Sequence, residues 1–421
     1  MTGKPPALPP SPWRPRHLLL APHRLGFFLG CALLVAASLW WAWLQLGRAG
    51  LVPATAPAVA PVTLHSALMV FGFLPLFFVG FLFTAAPRWL YVRPLPARAL
   101  VAPALIQAVG WLLWLLGGHW DLGAAVAGLL LGTGGLAWSA AKFWTLVRAS
   151  TEEDRLHPKL VGCALLVGIA CQFALAAALL LGAPGLQRAL VQCGLWAFVV
   201  VVFVTVAHRM LPFFTSDAVP LVQAWGPFWM LWLMLGAAVF QAVAVWTDVL
   251  GASHPAWLLL RGALEVVAGA ALVAVAVAWS RVQSLKVRLM RMLHLGFAWL
   301  GVALLLAGGA HLGQGWTGQP VLPLAPLHAL AMGSLGSLLL AMVTRVSAGH
   351  SGRPQAADNL TWALFWMLQA ATVLRIAASL PLTTGQALLA ASATLWASVV
   401  LAWALRLGDW YGRTRPDGRP G

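Results

Sequence analysis

Twelve long runs of apolar residues dominate this 421-residue sequence. A run of about 20 apolar residues forms a helix long enough to cross the roughly 30 Å hydrocarbon core of a bilayer. The runs are continuous, whereas the strands of a membrane β-barrel alternate apolar and polar residues. The sequence therefore predicts an all-α integral membrane protein with about twelve transmembrane helices. The runs lie near residues 26–46, 62–86, 97–117, 121–147, 160–182, 187–211, 226–246, 256–280, 292–311, 326–345, 358–380 and 386–407.

The composition agrees with a membrane protein. Apolar residues make up 61% of the chain and charged residues 9%, whereas a soluble domain carries about a quarter charged residues. This excludes a soluble globule and a disordered chain. The formal net charge is +16, but the basic residues lie in short segments between the apolar runs, where they orient helices. We therefore expect the lipid bilayer, and no nucleic acid, as the partner of this charge.

The basic residues segregate to one side of the predicted bundle. With twelve spans, the N-terminus, the even-numbered loops and the C-terminus share a side. That side holds 22 of the 26 Lys and Arg residues. The positive-inside rule then predicts that both termini are cytoplasmic. The four exceptions are Arg48, Arg188, Arg261 and Arg375.

The predicted topology divides the chain into three segments. Residues 1–22 are Pro-rich and basic, and we predict an unstructured cytoplasmic tail there. Residues 23–408 form a single twelve-helix membrane domain, because no loop is long enough to hold a soluble domain. Residues 409–421 form a second basic cytoplasmic tail.

Histidine is the anomalous polar residue of the predicted spans. Six of the eleven histidines lie within or at the ends of spans, and His350 follows the tenth span closely. Polar groups at lipid depth are costly, so they carry functional information. Glu265 is the only carboxylate deep in a predicted span, and this scarcity makes a proton- or sodium-coupled transporter less favoured. The six histidines are His23, His65, His208, His294, His311 and His328.

These histidines fall into two layers, one near each membrane surface. His65 opens the second span and His328 the tenth, both on the outer side. His208, His294 and His350 lie toward the cytoplasmic ends of their spans. Small residues share a helix face with several of them, and we expect these to leave room for a flat ligand beside the imidazole. The small residues are Gly72 for His65, Gly333 and Gly336 for His328, and Ala298 and Gly301 for His294.

The chemistry of imidazole narrows the choice of ligand. Neutral imidazole is a common ligand of haem iron and of copper, and it carries no charge into lipid. Carboxylates and thiolates are missing from the two layers, which argues against magnesium, calcium and iron–sulfur sites. Haem, copper or both remain. Arginines near the cytoplasmic layer are candidates to pair with haem propionates, although positive-inside anchoring explains them equally well. They are Arg88, Arg209, Arg345 and Arg353.

Several segments of the chain resemble the NnrS family. The last of them, with LHALxMGxxG followed by RVxxGHxGR, is the most specific, and the resemblance covers about residues 21–407. The histidines His65, His208, His294, His328 and His350 match recurring motif histidines, and His23 is a further match. The segments are APHRLGFFLG (21–30), LHSALMVFGFLPLFFVGFLFTAAPRWL (64–90), HRMLPFF (208–214), LHLGFAWLG (293–301) and LHALAMGSLGSLLLAMVTRVSAGHSGR (327–353).

The resemblance implies a multi-pass protein of the bacterial inner membrane that contains haem and copper. It also implies a role beside denitrification or nitric oxide defence, with protection from nitrosative stress. It does not assign particular histidines to particular metals.

The outer layer suggests one metal site. If the second and tenth spans pack together, His65 and His328 sandwich one low-spin b-type haem near the outer surface. This haem would accept electrons from a quinol or a periplasmic redox protein. His311 is a third candidate ligand in this layer.

The inner layer suggests a catalytic centre. We predict that His208, His294 and His350, with His23 as a possible fourth, provide one axial haem ligand and the ligands of copper. Nitric oxide would bind there at exchangeable metal positions.

The sequence leaves three alternative functions open. The first is a nitric oxide reductase-like haem/copper oxidoreductase that converts nitric oxide to nitrous oxide. The second is a protein that lowers nitric oxide or metal-nitrosyl toxicity without turnover. The third is a secondary transporter, for example of a metal or nitrosyl complex. A haem absorption spectrum separates the first two from the third, and anaerobic nitric oxide consumption separates the first from the second.

Overall fold

The structure is a computed structural model that describes residues 11–218, 226–251, 254–282 and 285–416. The described residues are 81% helical, and no β-strand occurs among them. Within them, twelve helices are long and apolar enough to cross a membrane, which confirms the predicted fold class. They are α1 (Pro22–Arg48), α2 (Pro61–Trp89), α3 (Ala97–Gly117), α4 (Leu122–Ala149), α5 (Leu156–Leu180), α6 (Pro184–Phe214), α7 (Phe228–Val249), α8 (Pro255–Ser280), α9 (Arg288–Thr317), α10 (Ala325–His350), α11 (Asn359–Ala377) and α12 (Gly385–Tyr411).

Several helices extend beyond the apolar runs that predict them. The helix α9 covers 30 residues, whereas its apolar run covers 292–311. Backbone hydrogen bonds continue through polar residues at the ends, because an intact helix satisfies its own N–H and C=O groups in or out of lipid. Proline opens α2 and α6, where its missing N–H removes no helical hydrogen bond.

Three helices, α2, α6 and α10, form the interior of the bundle. In the most apolar 18-residue window of each, 78–83% of the residues are buried, against at most 56% in the other nine helices of the described chain. The helix α2 packs against α1, α3 and α6, the helix α6 against α5 and α7, and the helix α10 against α1, α9 and α11. The chain therefore returns to the interior at every fourth helix.

Each interior helix contains a π-helical segment. The segments are Leu68–Gly72 in α2, Leu195–Val200 in α6 and Ala329–Gly336 in α10, and the other helices have none within the described ranges. A π turn adds a residue to the turn and is frequent at functional sites. The interior helices are therefore the first place to look for a site.

Glycines allow pairs of the surrounding helices to approach closely. A Cβ on Gly110 of α3 would collide with Gly132 of α4, and a Cβ on Gly262 of α8 would collide with Gly308 of α9. Small residues permit this close backbone contact in membrane bundles.

Both ends of the described chain lie on one side of the bundle, which we call the terminal side. The backbone N–H of Arg14 donates to the carbonyl of Gly412 at 2.8 Å, and Nδ1 of His17 lies 2.7 Å from the same oxygen. Residues Pro15–Leu20 form a short 3₁₀ helix, so this part of the predicted N-terminal tail has a defined structure. The tail residues 1–10 and 417–421 lie outside the described residues. The cytoplasmic location of the terminal side stays a prediction from the charge segregation.

Candidate functional site

On the side opposite the termini, His65 of α2 and His328 of α10 come together. The two imidazoles lie close enough to interact electrostatically, and Arg375 of α11 interacts with both. Trp41 of α1 stacks on His65, with ring centroids 3.9 Å apart and an interplanar angle of 15°. We call these four residues the paired-histidine site. The structure thus brings together the two histidines that the sequence places at one depth.

The hydrogen bond of His328 shows which of its nitrogens carries the lone pair. Its Nδ1 lies 2.9 Å from the carbonyl oxygen of Leu324, which can only accept, so Nδ1 carries the hydrogen. In the neutral ring, Nε2 then carries the lone pair, as in histidines that ligate metals. His328 directly precedes the π-helical segment of α10, and His65 lies within one turn of the π-helical segment of α2.

The glycines near these histidines do not leave space for a flat ligand, so that prediction is wrong. A Cβ on Gly72, Gly333 or Gly336 would meet an indole ring from a neighbouring helix, because a tryptophan fills the space beside each glycine. Gly301, near His294, has no open space either, because a Cβ there would collide with Gly269 and Val273 of α8. The indole contacts are Gly72 with Trp111, Gly333 with Trp299 and Gly336 with Trp396.

On the terminal side, a cavity of about 900 Å³ opens between α2, α6 and α10. We call it the arginine cavity, because four guanidinium groups line it and the described lining residues include no carboxylate. Aromatic rings lie against two of these groups: Arg209 is 5.2 Å from the ring centroid of Trp89, and Arg345 is 4.4 Å from that of Phe214. The four arginines are Arg88, Arg209, Arg345 and Arg415, and His350 lies in the same wall.

A second cavity of about 1200 Å³ adjoins the arginine cavity and shares Arg88, His350 and Arg415 with it. It adds Arg93 and Arg98 from the segment between α2 and α3, again without a carboxylate among its described lining residues. The terminal side therefore presents a continuous cationic lining, which favours an anionic ligand.

Three of the four arginines predicted to bind propionates line the arginine cavity, and Arg353 does not. Arg353 lies over the ring of Trp410, 4.8 Å from its centroid, and burial lowers the pKa of its guanidinium. Arg415 stands in the cavity wall instead. It belongs to the predicted C-terminal tail, where the sequence offers no motif, so only its folding back onto the bundle reveals it.

His350 stands against His23 at the edge of the arginine cavity. Their ring centroids are 4.6 Å apart and their planes are inclined by 40°. His23 is 1% exposed, and its Nδ1 has no hydrogen-bond partner within the described chain. Its backbone N–H donates at 3.1 Å to Oγ1 of Thr84, which also lines the cavity. Two neutral imidazoles with a buried nitrogen left over are a donor set that fits haem iron or copper.

His208 pairs with His157, a residue that the sequence motifs do not include. Nε2 of His208 lies 3.2 Å from the carbonyl of Pro227 and therefore carries a hydrogen, so its Nδ1 accepts from Nε2 of His157 at 3.0 Å when both rings are neutral. Nδ1 of His157 is then a buried lone pair, and it has no partner among the described residues. His157 opens α5 on the terminal side, so the depth argument that selects His208 applies to it too.

The remaining inner-layer histidine, His294, makes no ring contact with either pair in the described structure, and its Nδ1 is buried without a partner there. No group of three or more His, Cys, Asp or Glu in the described ranges is close enough to hold a metal ion. The predicted inner layer is thus divided: His23 lies against His350, His208 pairs with His157, which the layer did not include, and His294 contacts neither pair. A common depth does not make helices adjacent.

His311, the third candidate of the outer layer, belongs to a different cluster. Its Nδ1 lies 2.6 Å from Oε2 of Glu265. We assign it no metal.

The chain matches the model of a known protein family. The family model described as NnrS protein matches residues 17–415, a range that includes the paired-histidine site, the arginine cavity and both terminal-side histidine pairs. No curated protein matches the chain. Because the family model covers nearly the whole sequence, the chain belongs to the NnrS family.

Proposed function

We propose that this chain is a haem- and copper-containing protein of the bacterial inner membrane that binds nitric oxide and reduces it to nitrous oxide. Membership of the NnrS family links the chain to the nitric oxide response. The observation that carries the proposal is the arginine cavity, where four guanidinium groups and the imidazole of His350 line one space without a carboxylate among the described lining residues.

Haem fits the chemistry of this cavity. Its two propionates are anions that arginine binds through charge-assisted hydrogen bonds, and imidazole is a common ligand of its iron. Arg88, Arg209, Arg345 and Arg415 would hold the propionates, and His350 would supply the imidazole. The volume of about 900 Å³ suits a large cofactor, since ordinary ligand pockets run from about 300 to 1,000 Å³. When bound, haem supplies a redox centre and a position for nitric oxide.

Copper fits the terminal-side imidazoles that haem does not need. Imidazole is a common copper ligand, and copper would supply a second redox centre near the haem. The nitrogens of His157 and His208 that face each other are 3.0 Å apart, and a buried lone pair is left on His157. We propose His157 as a copper ligand through this lone pair and His208 as the residue that holds its ring in place, with the buried Nδ1 of His294 as a separate candidate ligand.

The paired-histidine site is our proposed second haem site. The lone pair on Nε2 of His328 and the neighbouring imidazole of His65 support bis-histidine ligation. His328 and His350 lie at opposite ends of α10, about 30 Å apart along a helix that rises 1.5 Å per residue. Electrons from a quinol or a periplasmic redox protein would therefore enter at the paired-histidine site and cross the bundle to reach the terminal side.

An apolar cavity between the interior helices would give nitric oxide a route toward the arginine cavity. A small cavity lined only by apolar side chains lies between α1, α2, α6 and α10, and it shares Phe81 with the arginine cavity. Nitric oxide is small and uncharged, so such a cavity admits it while excluding ions. Formation of one nitrous oxide from two nitric oxide molecules consumes two electrons and two protons and releases one water. The polar arginine cavity would deliver the protons from the terminal side.

The test uses the purified full-length chain and its variants. We expect a haem Soret band, bound copper and anaerobic conversion of nitric oxide to nitrous oxide in the wild type. His350→Ala should lose nitric oxide binding and turnover, whereas His254→Ala, at an exposed loop histidine, should retain both.

Three other results would each contradict a part of the proposed function. Absence of a Soret band would overturn the haem proposal and leave a secondary transporter as the remaining hypothesis. Haem that binds nitric oxide but forms no nitrous oxide would favour protection without turnover. Full activity in His350→Ala would remove the arginine cavity as the site.

A further inference from the structure

The second cavity on the terminal side contains basic residues that the proposed function does not use. Its volume is about 1200 Å³, and Arg93 and Arg98 line it in addition to Arg88 and Arg415. Arg93 lies in the loop between α2 and α3, and Arg98 lies in the first turn of α3. Neither of these two guanidinium groups has a hydrogen-bond or ion-pair partner among the described residues. We call this space the loop cavity.

The electrostatics of the loop cavity favour an anion. Four arginines line it, and its described lining residues include no carboxylate. The helices α1 and α3 both begin in its wall, at Pro22 and Ala97, and the N-terminal end of a helix carries a partial positive charge. An anion in the loop cavity therefore meets positive charge from side chains and from two helix ends.

The position of the loop cavity indicates that a membrane lipid supplies this anion. Three membrane-crossing helices have an end in its wall, because α1 and α3 begin there and α2 ends there. The cavity therefore lies at the depth where the hydrocarbon of a bilayer gives way to the headgroups. Its wall is partly apolar, with Leu20, Phe83 and Leu95, and Leu20 is 47% exposed. Basic groups beside an apolar wall suit the phosphate and the acyl chain of one phospholipid.

Tyr91 supplies an independent sign of a ligand in the loop cavity. It follows α2 with a φ of +50°, the left-handed conformation that closes many helices and usually takes glycine. A residue with a Cβ is strained there, and such strain is concentrated at functional sites. The side chain lines the loop cavity and is 83% exposed, so packing within the protein does not explain the tyrosine. A phenol hydroxyl can donate to a phosphate oxygen, and tyrosine is enriched at membrane interfaces.

Hydrogen bonds and prolines hold the loop after α2 in place. The backbone N–H of Val92 donates to the carbonyl of Pro87 at 3.0 Å, and Oγ of Ser150 donates to the carbonyl of Leu90 at 2.8 Å. Two prolines in the segment 93–96 restrict the backbone further. Binding of a ligand therefore requires little additional ordering of this loop.

We propose that the loop cavity binds the phosphate headgroup of an anionic phospholipid from the leaflet on the terminal side. Arg93 and Arg98 donate hydrogen bonds to the phosphate oxygens, Tyr91 donates another through its hydroxyl, and the apolar wall contacts the acyl chain. These three residues take no part in the proposed haem and copper sites. The lipid site can therefore fail without the proposed function, and the reverse also holds.

The test titrates the full-length chain in detergent with dioleoyl phosphatidylglycerol and measures bound lipid by native mass spectrometry. Dioleoyl phosphatidylcholine has the same acyl chains and no net charge, and it should bind more weakly. Combining Arg93→Gln with Arg98→Gln should weaken phosphatidylglycerol binding at least about tenfold, because each lost bond to a charged group contributes about that factor or more. Tyr91→Phe keeps the ring, removes the hydroxyl and should weaken binding about threefold.

The matched control combines Arg16→Gln with Arg148→Gln, at two exposed arginines of the terminal side that do not line the loop cavity. It changes the net charge equally and should bind phosphatidylglycerol as the wild type does. All variants should keep the wild-type Tm, which checks their folding.

Four outcomes would overturn the proposal. The first is unchanged phosphatidylglycerol binding in either loop-cavity variant. The second is equal weakening in the matched control, which would assign the effect to general surface charge. The third is equal binding of phosphatidylcholine by the wild type. The fourth is displacement of phosphatidylglycerol by an equal concentration of inorganic phosphate, which would make free phosphate the occupant.

Discussion

The two candidate sites of this protein are built by different physical means. The paired-histidine site has two imidazoles next to π-helical segments, a stacked tryptophan and the guanidinium of Arg375 within electrostatic range. The arginine cavity has one imidazole in its wall and four guanidinium groups around about 900 Å³. The first site is defined by the geometry of its helices, whereas the second is defined by its positive charge. This difference makes the two sites separable by mutation.

The largest expected effect comes from removing one histidine at each site. His328→Ala should lose the low-spin haem signal and retain nitric oxide binding, whereas His350→Ala should do the reverse. The measurement is haem content per chain together with spectra before and after nitric oxide. Equal losses at both positions would show that there is one site, and the comparison would fail.

Arg88→Ala should weaken the arginine cavity and spare the paired-histidine site. A hydrogen bond to a charged group contributes about 1.5–3 kcal/mol, so haem at the cavity should dissociate at least about tenfold more readily. Transfer of haem to an apoprotein acceptor measures this release. Arg188→Ala, at an exposed arginine of α6, is the matched control and should behave as the wild type.

Trp41→Leu should act at the paired-histidine site with a smaller effect. The stacked pair of Trp41 and His65 contributes about 0.5–1.5 kcal/mol beyond burial, so we expect a shifted low-spin spectrum and a slightly lower Tm. Trp43→Leu, at a tryptophan 46% exposed on the same helix, should leave the spectrum unchanged. A shift at the nitric oxide site instead would contradict the separation of the two sites.

The smallest effect concerns an exposed ion pair on the terminal side. Burial alone would raise the pKa of Asp358, but hydrogen bonds from Arg406 and Thr361 lower it to about 2. A lowered carboxyl pKa contributes stability that is present above the unfolded value of about 3.9 and is lost as the pH falls toward about 2. Because the pair is exposed, Asp358→Asn should cost at most about 1 kcal/mol.

Asparagine still caps α11, so the difference in Tm between wild type and Asp358→Asn isolates the charge. We expect this difference near pH 7 and expect it to vanish near pH 2. A difference that does not change with pH would assign the effect to packing.

Sequence reasoning succeeded where a property is local to one helix. The length of each apolar run indicates a span, and the position of His65 and His328 at the start of their runs indicates a common depth. Sequence reasoning failed where a property depends on contacts with another helix. The notches beside Gly72 and Gly333 look open along one helix, but Trp111 and Trp299 fill them from others.

The residues of the terminal-side sites show the same division between local and tertiary properties. Three predicted arginines line one cavity because they end interior helices on the terminal side, whereas Arg415 enters it only because the chain after α12 folds back. His157 meets His208 because α5 packs against α6, which no motif records.

By itself, the sequence determined the number of spans, the shared side of the termini and the depth of each histidine, because hydrophobicity and charge act on each helix as it meets the bilayer. Only the tertiary structure decided which helices became the interior and which imidazoles became partners. Those choices depend on contacts between side chains that are far apart in the chain, and in lipid they rest on shape and hydrogen bonding rather than on hydrophobicity, which every helix shares.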